Sequence, residues 1–196
     1  MQAGEAVLVR HPLAPWPGPA LAVTAACRAQ SDCRFACTFA VAGELGAIVW
    51  PPNVAGARVD GLWRHTCFEV FIGPAGRPGY VEFNLAPSGQ WAAYAFAGYR
   101  APTPPPALRP PSISTTRAAR LLSLNAVVDP HPWLDQHSAA SLEVGLCAVI
   151  EHENGTLGYY ALCHPAGRPD FHDRRGFGLR IAWAARTGAT AGDSAG

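Results

Sequence analysis

Short apolar segments separated by turn residues are the feature that most constrains how this chain can fold. Turn sequences such as GPAGRPG, APSG and ENG divide the segments, and few windows keep a 3.6-residue apolar period long enough for a helix. The pattern predicts an all-β fold, a single-domain antiparallel β-sandwich that is jelly-roll-like. The predicted strands are 5–10, 20–28, 33–42, 46–50, 62–72, 79–86, 90–97, 112–117, 120–128, 141–151, 157–163 and 177–183.

A chain of 196 residues with 49% hydrophobic and 15% charged residues can bury one core of its own. We predict one domain over residues 1–183 and a disordered tail over 184–196, which lacks large apolar residues. The proline-rich segment 101–112 cannot form a central strand, so we interpret it as an extended connection between two halves of the domain. TRAARLL, at 116–122, is interpreted as a helical turn.

Charge and hydropathy argue against several kinds of partner. The net charge is +1 and no basic run could follow a phosphate backbone, so nucleic acid is not expected. No apolar run approaches the roughly 20 residues that cross a bilayer, and early Pro and Gly interrupt any secretion signal. We therefore expect no membrane partner and a cytoplasmic protein whose six cysteines are free thiols. A protein partner is not indicated.

Two glutamates lie inside apolar strand segments, Glu69 in FEVF and Glu82 in VEFN. If 73–78 is the loop between the strands, the two residues face each other across the hairpin. Like charges at that spacing are destabilising. The pair therefore requires a shared proton, an Arg, a bound cation or ligand hydroxyls that donate to both carboxylates.

If 86–89 is the next turn, segment 90–97 adds a strand to the predicted sheet. With this register, one face of the sheet carries a mixture of polar and aromatic side chains. This composition is typical of a ligand groove, and aromatic rings with Glu, Asn and Arg suit a sugar. A solvated sheet face with flanking Arg residues, on which the tryptophans are packing residues, remains the alternative. The predicted face carries Trp63, His65, Cys67, Glu69, Phe71, Tyr80, Glu82, Asn84, Trp91, Ala93 and Ala95.

A second polar cluster, CHPAGRPDFHD at 163–173, follows an apolar strand. It matches no compact zinc signature, so we predict no metal site there. As a turn-rich loop it can contribute Arg168, Asp170 or His172 to the rim of the groove.

The successive segments GLWRHTCFEVFIGP, GYVEFNLAPSGQWAAYAFAGYR and LEVGLCAVIE…GYYALCHPAGRPDFHD resemble bacterial DOMON-like domains related to carbohydrate-binding module family 9. The resemblance covers about residues 20–183. It implies a jelly-roll β-sandwich that holds a sugar between tryptophan rings, with acidic, amide and Arg hydrogen-bond partners and in some relatives a structural calcium. Five residues lie in the matching region: Trp63, Glu69, Glu82, Asn84 and Trp91.

Other DOMON relatives bind haem through Met with His or Lys. Here the only Met is Met1 and there is no Lys, so haem is disfavoured. No cofactor is expected, with calcium left open.

We therefore predict a non-catalytic domain that binds a small sugar-like ligand, with no catalytic and no metal residues. The alternatives are a glycosidase that uses the paired glutamates and a structural or protein-interaction sandwich. The predicted ligand-binding residues are Trp63, Arg64, His65, Glu69, Glu82, Asn84, Trp91, Asp170 and His172.

Overall fold

The computed structural model describes residues 5–52, 56–104, 107–135, 137 and 139–183. The predicted tail, 184–196, lies outside them. In the described part, helical structure is limited to α1 (His131–Leu134) and the 3₁₀ turns Leu62–Arg64 and Arg174–Gly176. No helix there is long and apolar enough to cross a membrane. The strands are β1 (Ala6–Arg10), β2 (Ala22–Ala29), β3 (Phe35–Ala42), β4 (Cys67–Pro74), β5 (Tyr80–Leu85), β6 (Trp91–Gly98), β7 (Ala101–Thr103), β8 (Ser112–Arg117), β9 (Leu121–Val128), β10 (Ser141–Glu151), β11 (Leu157–Ala161) and β12 (Leu179–Ala182).

The strands form two antiparallel layers that β1 connects. The first sheet has the order β1-β2-β3-β9-β8, and the second has the order β7-β6-β5-β4-β10-β11 with β12 beside the start of β10. Residues 6–8 of β1 pair with β2, whereas Val9 and Arg10 pair with β11. One strand therefore belongs to both layers.

Alternating side chains explain why these segments face a shared core. In β3, Phe35, Cys37, Phe39 and Val41 are buried and the intervening residues are not. Phe39 stacks on Phe68 of the second sheet at a ring separation of 4.9 Å, which joins the inner faces of the two layers. The all-β sandwich prediction is confirmed.

The register between β4 and β5 differs from the predicted one. Glu69 pairs with Asn84, and Glu82 pairs with Phe71, because β4 continues to Pro74 and the connection is shorter than expected. The two glutamates are therefore diagonal neighbours, and their predicted direct opposition is wrong. A shift of two residues keeps every side chain on its predicted face.

The register between β5 and β6 differs from the predicted one by one residue, so the side chains of β6 lie on the opposite face from the one predicted. Ala86 and Gln90 close a three-residue loop, with Gly89 at φ +90° in the left-handed region. Leu85 therefore pairs with Trp91. The side chain of Trp91 joins the core, contrary to its predicted place on the polar face, and alternate residues of β6 starting at Ala92 point outward.

The structure also differs from the predictions for several short segments. Segment 46–50 contributes only an isolated bridge at Ile48, and the start of 62–72 is a 3₁₀ turn. The predicted helical turn at 116–122 is wrong, because a hairpin joins β8 to β9 there. The proline-rich connection begins with β7, a short strand at the end of the second sheet, where Pro is tolerated.

A candidate ligand pocket on the second sheet

A cavity of about 560 Å³ lies on the outer face of the second sheet. Its floor comes from the outward side chains of β4, β5, β6, β10 and β11, and the loop 162–178 between β11 and β12 covers one side. The lining residues are Trp63, Glu69, Glu82, Tyr94, Phe96, Arg100, Pro102, Val149, Tyr159, Arg168, Pro169, Phe171 and His172.

Two nearly buried carboxyl groups belong to this floor. Glu69 is 3% exposed and Glu82 is 4% exposed. Asn84 Nδ2 donates a hydrogen bond to Glu82 Oε1, and the Cys67 thiol donates to Glu69 Oε1 at 3.6 Å. Glu69 Oε2 receives no hydrogen bond from any described residue. The pair thus presents unused acceptor positions to the cavity.

Burial changes the ionisation of both carboxyl groups. It raises the pKa of Glu69 well above its usual range, and the nearby charge of Glu82 adds to this. It raises the pKa of Glu82 to about 7, although the Asn84 hydrogen bond and the Arg100 charge oppose the shift. Near neutral pH the two groups therefore hold at least one proton between them.

His172 lies beside the pair in a fixed orientation. Its Nδ1 is 2.8 Å from the Tyr80 hydroxyl, which accepts a hydrogen bond from the Arg100 backbone N–H at 3.3 Å. We assign the hydroxyl proton to the bond with Nδ1, which leaves Nε2 as the N–H that is 3.8 Å from Glu82 Oε2. Burial, followed by the Arg100 charge, lowers the pKa of His172 to about 4, so the ring is neutral at pH 7.

The loop 162–178 is attached to the sheet at both ends of the pocket wall. Asp170 accepts hydrogen bonds from the Tyr99 hydroxyl at 2.5 Å and from Arg100 Nη2 at 2.9 Å. Arg174 donates to the carbonyl oxygens of Gly79 and Pro74 at 2.8 and 3.1 Å. These bonds hold the lining residues between them against the floor.

Aromatic rings form much of the remaining wall. Trp63 is carried by the 3₁₀ turn after Gly61, whose backbone N–H donates to the Tyr94 hydroxyl at 3.2 Å. Trp63 is 46% exposed, so its ring is accessible to a ligand. Phe171 packs edge-on against Tyr159 at a ring separation of 5.9 Å.

The structure brings together part of the predicted site. Trp63, Glu69, Glu82 and His172 line the cavity. Asn84 and Asp170 do not line it, but each holds a lining residue through a hydrogen bond.

The other three predicted residues have different surroundings. Arg64 lies over the Trp63 ring at 4.9 Å, and His65 Nδ1 is 2.8 Å from Glu151 Oε2. Neither lines the cavity, and the Trp91 side chain belongs to the core.

Several lining residues were absent from the predicted set. Tyr94 and Phe96 alternate with Ala93 and Ala95, which were predicted to point outward, and the one-residue difference in the β5–β6 register turns Tyr94 and Phe96 outward instead. Arg100, Tyr159 and Phe171 come from other strands or turns, and only the three-dimensional arrangement brings them to the glutamates. The polar character of 163–173 was the available signal for the loop.

No group of three or more His, Cys, Asp or Glu residues that could hold a metal ion occurs in the described residues. Cys67 and Cys147 flank Glu69, and burial raises the pKa of both thiols well above its usual range. They are therefore protonated, which disfavours metal ligation at the floor of the pocket.

Comparison with known proteins gives a fold relationship. No family model and no curated protein matches the chain. A solved structure from Bacteroides uniformis ATCC 8492, a candidate carbohydrate-binding protein, superposes with a TM-score of 0.65 at 16% identity. The match covers 92% of this chain and 86% of that one. The two proteins share a fold.

Proposed function

We propose that this protein binds a saccharide or a sugar-like molecule in the cavity of the second sheet. The observation that carries the proposal is the buried Glu69–Glu82 pair at the floor of a concave, aromatic-lined space. Its volume of about 560 Å³ is within the usual range of roughly 300–1,000 Å³ for small-molecule pockets.

The lining offers both kinds of contact that a sugar needs. Glu69 Oε2 and Glu82 Oε2 accept hydrogen bonds from ligand hydroxyl groups, and Arg168 and the Nε2–H of His172 donate to ligand oxygens. Tyr94 and Phe96 supply apolar surface for the C–H groups of a pyranose ring.

The structural neighbour gives independent support. The Bacteroides uniformis protein, which shares the fold over most of both chains, is itself a candidate carbohydrate-binding protein. At 16% identity this likeness supports the ligand class only as a proposal, and the residues of the cavity carry the argument.

The glycosidase alternative is less well supported by the geometry. Hydrolysis with paired carboxyl groups requires them to flank the scissile bond. Glu69 and Glu82 project from adjacent strands on the same face, so both approach a ligand from the floor. A structural role is also less well supported, because a half-enclosed cavity with buried acids suits a small polar ligand better than a flat partner surface.

Isothermal titration calorimetry with a panel of monosaccharides and disaccharides tests the proposal. We expect at least one sugar to bind, and Glu82→Gln to weaken binding at pH 8 about tenfold or more, since hydrogen bonds to an ionised carboxylate contribute about 1.5–3 kcal/mol. Glu153→Gln is the matched control, because Glu153 is exposed at a turn and does not line the cavity. Equal affinities in the two variants, or no bound sugar, would contradict the proposal.

A further inference from the structure

The floor of the cavity also carries the groups for a reaction. Resting on the proposed function, we propose that the protein interconverts the two anomers of a reducing sugar by opening its hemiacetal ring, with Glu69 as the acid and Glu82 as the base. This activity requires a sugar with a free anomeric hydroxyl.

The same geometry that disfavours hydrolysis suits this reaction. The hydroxyl oxygen O1 and the ring oxygen O5 of a hemiacetal are both bonded to C1, so an acid and a base can reach them from one side. Glu69 and Glu82 are diagonal neighbours on adjacent strands. Residues in this position across an antiparallel pair are about 7–8 Å apart. Both side chains line one cavity, and each has an oxygen that receives no hydrogen bond from any of the residues the structure describes.

The two carboxyl groups differ in their surroundings, which assigns their roles. Glu82 receives a hydrogen bond from the Asn84 amide and is stabilised as an anion by Arg100. Among the described residues Glu69 has only the weak Cys67 thiol donor, and the negative charge of Glu82 further favours its protonated form. Environments that separate two carboxyl groups in this way define an acid and a base.

The reaction balances without a further reactant. The Glu82 carboxylate takes the proton from O1, C1=O1 forms, the C1–O5 bond breaks with its electron pair on O5, and Glu69 gives its proton to O5. Rotation about C1–C2 then turns the other aldehyde face toward O5. Ring closure returns the O5 proton to Glu69 and the Glu82 proton to O1, so the product is the other anomer and both carboxyl groups regain their initial states.

Neighbouring groups do not divert these protons. His172, with a pKa of about 4, remains neutral and does not compete with Glu82 for the proton from O1. Burial raises the pKa of Tyr80 to about 12, so its hydroxyl remains protonated. The titratable and charged groups that face the pair from the surrounding elements are Cys67, Tyr80, Tyr94, Arg100, Cys147, Tyr159, Arg168, Asp170 and His172.

Polarimetry on freshly dissolved α-D-glucose, α-D-galactose, α-D-mannose and α-D-xylose tests the activity, with calorimetric binding measured on the same samples. We expect acceleration over the spontaneous rate for at least one sugar. Glu69→Gln and Glu82→Gln should each reduce it about 100-fold or more, because general acid–base catalysis contributes about 10²–10⁴-fold. Glu153→Gln should retain the full rate. A methyl glycoside of the active sugar, which lacks the O1 proton, should not react.

The pH profile distinguishes chemistry from a structural effect of the substitutions. In the unsubstituted protein the rate should rise as Glu82 ionises near pH 7 and fall at higher pH as Glu69 ionises. This measurement keeps the proposal testable even if a variant folds poorly.

Four results would overturn the proposal. Sugar binding without acceleration of anomer interconversion would contradict the proposed activity and leave the proposed binding function intact. Absence of both binding and acceleration would remove both. Acceleration that survives Glu69→Gln and Glu82→Gln, or a rate that is flat between pH 5 and 9, would remove the assignment of these two residues.

Discussion

Burial of Glu82 couples the stability of the fold to pH. Its pKa of about 7 in the folded protein exceeds the unfolded value of 4.5, so the folded state holds the proton more tightly. This contribution is fully present below pH 4.5 and is lost as pH rises to about 7. At 1.36 kcal/mol per pKa unit the loss is about 3 kcal/mol.

Glu82→Gln should remove this dependence. We expect urea denaturation to show the variant gaining about 3 kcal/mol relative to the unsubstituted protein between pH 4 and pH 8. His172 acts in the opposite direction, because its lowered pKa of about 4 removes stability as pH falls from 6.5. The comparison must therefore be made between variants, with Glu153→Gln as the control. A pH-independent difference would show that Glu82 ionises normally.

Trp63 and Trp91 provide a second contrast at the scale of single residues. Trp63→Ala should weaken sugar binding while changing the free energy of unfolding by less than about 1 kcal/mol, because its ring is half exposed at the pocket. Trp91→Ala should cost about 3–5 kcal/mol, because its side chain fills the core. Denaturant titrations and calorimetry on both variants test this. Similar losses of stability in the two variants would contradict the structure.

These two tryptophans also show what sequence reasoning could and could not supply. Composition and strand spacing were enough to predict the β-sandwich and a polar face that contains both glutamates. Which tryptophan shares that face depended on one residue of loop length, since a single-residue slip exchanges the two faces of a strand. Trp91 was therefore misplaced, and Tyr94 was missed.

At the scale of elements, an error in the predicted register has different consequences in the two hairpins. The β4–β5 prediction was displaced by two residues and still placed Glu69 and Glu82 on one face. The β5–β6 loop is set by Gly89, whose positive φ permits a compact three-residue turn. Gln90 pairs with Ala86 across that loop, a detail that residue preferences alone did not determine.

The loop 162–178 depends on Arg174, which packs over Gly73 and bonds two carbonyl oxygens and Glu143. Arg174→Ala should lower stability by about 2 kcal/mol, because it removes charge-assisted hydrogen bonds. It should also weaken sugar binding, since His172 is two residues away. Thermal denaturation and calorimetry measure the two effects.

Arg175→Ala is the matched control. Arg175 is the next residue in the same 3₁₀ turn, but its side chain is exposed and, within the described part of the chain, bonds only to Asp173. We expect its melting temperature and affinity to remain unchanged. If Arg174→Ala behaved like Arg175→Ala, the loop would not rely on this attachment.

At the scale of the whole molecule, the two sheets share one core and one strand. Phe39 of the first sheet stacks on Phe68 of the second, and β1 pairs with both layers. Neither layer can bury its inner face without the other. That residues 1–183 form one domain stays a prediction, and for the described strands it implies that both layers unfold together.

Differential scanning calorimetry tests that prediction directly. We expect one unfolding transition whose calorimetric and van't Hoff enthalpies agree, since a shared core unfolds as a unit. Phe39→Ala should cost about 3–5 kcal/mol and shift that transition without splitting it. Hydrogen exchange in the variant should then accelerate in β4 and β10 of the second sheet as well as in β2 and β9. Faster exchange confined to the first sheet, or two separate transitions, would show that the layers unfold independently.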